Sequence, residues 1–157
     1  MGQGEFFGEL AAIDDELRSA NVTTLNRSQI CIMPRKIFLE LISTSQDVNL
    51  QVMRVLAKRI RTLNYRLAEQ SFLQAKHRLY AELLRLSKPR LGHDGQRSVS
   101  PPPTQKELAE RIGTRREVVS REINALQKQG IFEKTRGALV LKNVPELQRR
   151  ISEAWEE

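Results

Sequence analysis

Cysteine is nearly absent: the 157-residue chain has one, Cys31, so no disulfide can form within it and no four-cysteine zinc or iron–sulfur site can be built from one copy. Within its alternating apolar run, Cys31 is expected to be a small core residue. Only two histidines occur, His77 and His93, neither with a carboxylate or cysteine at metal-ligand spacing, and both are expected at the surface. No apolar run approaches the roughly 20 residues of a membrane span. The opening MGQGEFFGEL lacks the basic start and apolar core of a secretion signal, which predicts a cytoplasmic protein with no membrane partner. Aromatic residues make up 5% of the chain, and Trp155, with no aromatic near it in sequence, is expected to pack rather than stack on a base. No nucleophile, base and orienting group can be assembled from the spacing, so an enzyme is not expected.

What the chain has in excess is positive charge. A formal charge of +7 and a sequence pI near 10.0 favour a polyanionic partner, although basic character alone is compatible with a merely soluble protein. The length allows one ordinary domain or two small ones.

The stretch Thr104 to Gly130, TQKELAERIGTRREVVSREINALQKQG, reads as two helices broken at Gly113. Thr104 and Glu107 form a capping box after Pro101, Pro102 and Pro103, so the first helix has a sharply placed start. Leu108, Ala109 and Ile112 give it an apolar face. Thr114 and Glu117 repeat the capping-box spacing, Val119, Ile123 and Leu126 turn one side of the second helix inward, and Gly130 stops it. That leaves Arg115, Arg116, Glu117, Ser120 and Arg121 outward or along the flank.

Two short helices with small residues at the crossing and a basic outer start predict a helix-turn-helix whose second helix enters the DNA major groove. Arginine can donate twice to guanine and a carboxylate can accept from cytosine. The plainer alternative is a helical hairpin with a solvated charged face. Ala109, Gly113 and Val119 fall at the offsets the DNA motif requires and favour it.

Ahead of this motif, Glu5 to Phe7, Asn21 to Leu25 and Gln29 to Met33 are strand candidates, too few to close a core. Between them GELAAIDDELRSA, Gly8 to Ala20, could capture a phosphate. A helix starting near Leu10 would aim free amides at an anion, Arg18 would clamp its charge, Ser19 would add a donor, and Glu9 could accept from a sugar hydroxyl. A solvated ion pair of Arg18 with Asp14, Asp15 or Glu16 is the alternative.

Pro34 opens a helix bearing Ile37, Phe38, Leu41 and Ile42. A long helix follows from about Asp47 to Gln70, with Val52, Leu56, Ile60, Leu63 and Leu67 along a narrow seam and Met53 and Val55 on another, inward face. The seam fits either packing within the domain or, as we favour, a dimer. Ala75 to Ser87 is a further helix carrying Leu79, Leu83, Leu84 and Leu86, and Lys88 to Pro103 reads as a loop or linker. Ile131 to Lys134 and Ala138 to Leu141 can pair as a hairpin that places Lys134 and Arg136 against a phosphate, and Pro145 opens a terminal helix.

The order of GEL, RSA, a long helix, G-x-x-R-E-x-x-S-R and a hairpin resembles the bacterial Crp/Fnr transcription regulators, of the cyclic AMP receptor protein type, over essentially the whole chain. The resemblance implies an α+β protein. Residues 1–45 would be the C-terminal part of a cyclic-nucleotide-binding β-roll, 46–73 a dimerisation helix, and 74–157 a winged helix-turn-helix DNA-binding domain.

It further implies a homodimer on an inverted repeat of double-stranded DNA, with RNA polymerase as a further partner, cyclic AMP or another cyclic nucleotide as effector, and no required cofactor. Arg116, Glu117 and Arg121 would meet base edges, with Ser120, Arg115, Thr104 and Arg136 as further DNA contacts. The effector would be held by Gly8, Glu9, Leu10, Arg18, Ser19 and Ala20, with Leu63 and Asn64 facing its base; of those two, only the Asn64 side chain can hydrogen-bond a purine. Family members have several more strands before GEL, so the chain is expected to lack most of the β-roll, and with it the pocket walls. Single Cys31 argues against the iron–sulfur branch. A cyclic-nucleotide sensor with secondary DNA contacts, or a dimerisation partner that disables longer relatives, are the alternative functions.

Overall fold

The structure, a computed structural model, describes residues 4–24 and 27–156 and divides into two units, Met1–Arg61 and Thr62–Glu157. In the first, α1 (Glu9–Ile13) follows Gly8, whose φ of 84° suits glycine. α2 (Arg35–Thr44) starts after Pro34, and α3 (Gln46–Phe72) runs unbroken past the unit boundary. Ser45, in extended conformation, separates α2 from α3: its hydroxyl accepts from the Val48 amide, and Asn49 Nδ2 donates to the Ile42 carbonyl at 3.0 Å. The serine thus closes one helix and opens the next.

Glu5–Phe7 and Gln29–Met33 are not strands, nor is the described part of Asn21–Leu25; Leu25 lies outside the described residues. A strand exists through hydrogen bonds to a neighbouring strand, and no such ladder forms among the described residues of this unit. Cys31 is accordingly exposed instead of buried. Only Glu9 and Val52 are buried among the unit's described residues, and Ile37, Leu41 and Met53 face solvent. The inward residue on α3 is therefore Val52, a member of the expected seam, and Met53 points out.

The second unit holds the apolar core. α4 (Ala75–Leu86) is followed by β1 (Lys88–Pro89) and β2 (Arg97–Val99), then α5 (Gln105–Ile112), α6 (Arg116–Lys128), β3 (Phe132–Lys134), β4 (Leu139–Leu141) and α7 (Val144–Glu156). The four strands form one antiparallel sheet in the order β1-β2-β4-β3, with Arg97 opposite Leu141 and Lys134 opposite Leu139. Leu79, Leu83, Leu108, Val119, Leu126, Leu141 and Leu147 are fully buried against one another. Burying each leucine or valine contributes roughly 1.5–3 kcal/mol.

The linker expected over 88–103 instead supplies half of the sheet. Turn-forming Gly92 and Gly95 are the bend of a β-hairpin, and Arg97 fixes its base through Nη2 to the Ser87 carbonyl at 2.6 Å. His77 is buried, edge-on to the Tyr80 ring at 5.8 Å, whereas His93 is exposed as expected. Trp155 does have an aromatic neighbour: α3 brings Phe72 to 6.3 Å.

Two polar clusters pin the helices of this unit. Glu82, 1% exposed, receives ion pairs from Arg66 on α3, Arg85 on α4 and Arg111 on α5. Burial opposes the charge on Arg85, but hydrogen bonds to Glu69 and Glu82 raise its pKa beyond the ordinary value. Tyr80 donates to Glu122 on α6, and burial first, then that bond, pushes its pKa up to about 12.

Candidate nucleic-acid interface

The turn between α5 and α6 decides how α6 is presented. Thr104 caps α5 with both halves of the capping box: its hydroxyl accepts from the Glu107 amide at 3.2 Å, and its own amide donates to Glu107 Oε2 at 2.6 Å. That backbone bond holds the Glu107 carboxyl below its usual range. At the other end Gly113 takes φ 63°, which lets its amide return to the Glu110 carbonyl and the Thr114 amide to that of Ala109.

Thr114 is therefore spent on closing α5 and does not cap α6. The second capping box expected at Thr114 and Glu117 does not form; α6 has Arg115 at its N-cap, with no side-chain cap. Its first-turn amides lack a side-chain acceptor, which makes the start of α6 favourable for a phosphate. Arg78 braces the turn, with Nε on the Ile112 carbonyl at 2.9 Å and Nη2 on that of Gly113 at 3.4 Å.

With Val119, Ile123 and Leu126 buried, the opposite side of α6 carries Arg116, Glu117, Ser120 and Arg121 along an open concavity of about 720 Å³. Arg115 and Thr104 are exposed at the starts of their helices, outside that concavity. Arg136 is exposed in the β3–β4 turn, which is closed by the Thr135 amide on the Ala138 carbonyl at 2.9 Å. Lys134 is exposed beside it.

The arginines of this unit divide sharply. Arg66, Arg78, Arg85, Arg90, Arg97, Arg111, Arg149 and Arg150 are each hydrogen-bonded to carboxylates, carbonyls or side-chain oxygens. Arg115, Arg116, Arg121 and Arg136 make no such bond among the described residues.

In the first unit the residues of the expected phosphate cassette are drawn to other groups. Glu9, 5% exposed, is ion-paired to Arg59, whose Nη2 also donates to the Phe6 carbonyl at 2.6 Å and whose guanidinium lies 5.3 Å from the Phe6 ring centroid. Glu9 Oε2 is buried without a hydrogen-bond partner among the described residues. Arg18 Nη1 donates to the Gly8 carbonyl at 3.1 Å, so close that a Cβ at Gly8 would collide with it. The Arg18 ion pair with neighbouring acids does not form; Asp15 pairs with Arg35. Leu10, Ser19 and Ala20 are exposed; Leu63 and Asn64 are exposed on the part of α3 assigned to the second unit. α1 begins at Glu9, one residue before the expected start.

Residues 77–150 match the Crp-like helix-turn-helix domain and residues 1–45 the cyclic nucleotide-binding domain. The chain belongs to the Crp/Fnr family. It is 29% identical over 152 residues to the CRP-like cAMP-activated global transcriptional regulator of Mycobacterium tuberculosis, covering 96% of this chain and 67% of that protein. It is 30% identical over 148 residues to the cyclic AMP receptor protein of Thermus thermophilus, covering 94% of this chain and 66% of that one.

Among solved structures, a CooA variant from Carboxydothermus hydrogenoformans superposes with a TM-score of 0.64 at 22% identity, over 74% of this chain and 54% of that one. A CRP/FNR-family regulator from Thermus thermophilus gives 0.57 at 19%, over 69% and 56%. These likenesses establish the fold. The chain spans about two thirds of the curated relatives' length and about half that of the solved structures. Among the described residues no helix is long and apolar enough to cross a membrane, and no cluster of potential metal ligands occurs.

Sequence reasoning about this Crp/Fnr chain did not find Arg59, Arg78, Glu82 or the 88–99 hairpin. Arg59 and its partner Glu9 are 50 residues apart, beyond any local spacing rule. The burial of Glu82 does carry a signal: it sits between Leu79 and Leu83 on the apolar side of α4, where a carboxylate requires cations.

Proposed function

We propose that this Crp/Fnr chain is a sequence-specific DNA-binding transcription regulator that acts as a homodimer on an inverted repeat. The observation that carries it is the division of the arginines: those left without a partner are the ones on the outer start of α6 and at the hairpin tip. Arg116 and Arg121 then read guanine edges, Glu117 accepts from cytosine, Ser120 supplies a further polar contact, and Arg115, Thr104 and Arg136 hold phosphates. Ile60, Leu63 and Leu67, each more than half exposed at helical spacing on α3, supply the apolar seam for a second copy. The two α6 helices then enter successive major grooves about 34 Å apart.

A cyclic nucleotide is the effector that fits the first unit. Among the described residues Glu9 Oε2 has no hydrogen-bond partner, which suits a ribose hydroxyl, and Arg18 is bound only to a carbonyl at an exposed site, which suits the phosphate once it swings free. The curated relatives named above are described as cAMP-activated or as cyclic AMP receptor proteins, which supports this reading. RNA polymerase is a further expected partner. Selection of bound duplexes from random DNA tests the proposal: it should enrich an inverted repeat with half-sites one helical turn apart. Recovery of unrelated sequences, or of single half-sites alone, would count against it.

A further inference from the structure

The concave face of α6 carries one polar side chain beyond those assigned above. Asn124 is exposed one turn past Ser120 and two turns past Arg116, and it lines the same concavity. Its amide makes no hydrogen bond among the described residues. Asparagine in a helix interior is a poorer helix former than alanine, and its side chain commonly bonds nearby backbone. Here it does not, so a donor and an acceptor are both presented outward.

The chemistry of that pair is specific. A planar amide can accept from N6 and donate to N7 of one adenine, a match that no other base edge in the major groove offers in the same form. Lys128, a further turn along, has only a flexible point charge and suits a phosphate. Glu122, the other polar residue nearby, is occupied by Tyr80. Eight residues at about 1.5 Å each put Asn124 roughly 12 Å along α6 from Arg116, some three base-pair steps away.

We propose that Asn124 is a further specificity-determining residue, reading adenine at a base pair distinct from those met by Arg116 and Arg121. The inference rests on the DNA-reading role given to α6 above. It is tested by parallel selections from random duplex DNA with the full wild-type chain, Asn124→Ala and Arg116→Ala, with circular dichroism confirming that each is folded. Because Asn124 is exposed, its replacement by alanine removes no buried contact and favours the helix.

The expected result is an adenine preference in each wild-type half-site that persists in Arg116→Ala. In Asn124→Ala that preference alone falls, by roughly 5- to 100-fold. If Asn124→Ala selects the wild-type motif with every preference intact, the inference falls and the role of α6 stands. Equal weakening on all sequences would assign Asn124 to phosphate and also overturn it. If the wild type itself enriches no motif, the DNA reading fails, and the inference with it.

Discussion

Arginine serves two different ends in the second unit. Where it meets Glu82, Glu69, Glu146 or a helix-terminal carbonyl, it fixes one element against another; at Arg115, Arg116, Arg121 and Arg136 the same side chain is left to solvent. The second group divides again by position, since Arg136 sits on a turn and not on α6, where the proposed DNA reading gives it a backbone phosphate. Arg136→Ala should therefore weaken binding to specific and random DNA alike and reduce the slope of log affinity against log salt by about one per subunit. A salt titration by fluorescence anisotropy checks this; a change in base preference with an unchanged slope would sink it. The outward placement of Arg116, Glu117, Ser120 and Arg121 was legible because helical periodicity fixes which side carries Val119, Ile123 and Leu126. The partners of Glu9 and Arg18 were not, because bonds to Arg59 and to the Gly8 carbonyl depend on tertiary placement and not on spacing.

At the scale of elements, the α5–α6 turn depends on Gly113 for two separable reasons. Its φ of 63° disfavours any side chain, and a Cβ there would lie 3.2 Å from the Gln70 amide at the end of α3. Gly130 shares the first property, with φ 71°, but faces open space. Gly113→Ala should cost about 1–2 kcal/mol from the backbone plus a packing increment, and Gly130→Ala the backbone part alone. Adding Gln70→Ala should recover only the increment, read by urea denaturation. Equal losses at the two glycines, or full recovery on removing Gln70, would contradict this. Here the sequence was misleading in one instructive respect: Thr114-x-x-Glu117 has the spacing of a capping box, yet a Gly-terminated helix claims the threonine amide first. The 88–99 hairpin was hidden because its strands are two and three residues long and gain their order from pairing with each other and, through β2, with β4.

For the whole molecule, two features are at odds with a solitary chain. Ile60, Leu63 and Leu67 are 58%, 63% and 68% exposed at positions i, i+3 and i+7 of one helix, and the apolar core cluster lies in the second unit, with Val52 the only buried apolar residue among the described residues of the first. Water contact at such a row is unfavourable, and in the proposed homodimer a second copy of the same row would remove it. Ile60→Asp places two carboxylates in that seam and should convert a dimer to a monomer at micromolar concentration by light scattering. A dimer of undiminished stability would exclude the seam. Periodicity made the row visible in the sequence; how far α3 would be covered within its own chain could be known only from the fold.

The most direct test of the central claim, that the outer face of α6 reads DNA sequence, is the ratio of affinities for a selected inverted repeat and for random duplex at one fixed salt concentration, measured for the wild type and Arg116→Ala. The wild type should favour the repeat by at least about 1,000-fold. Arg116→Ala should lose roughly 1–3 kcal/mol per half-site on the repeat, relax preference at one base position, and bind random DNA nearly as before. Equal loss on both duplexes, leaving the ratio unchanged, would contradict the account.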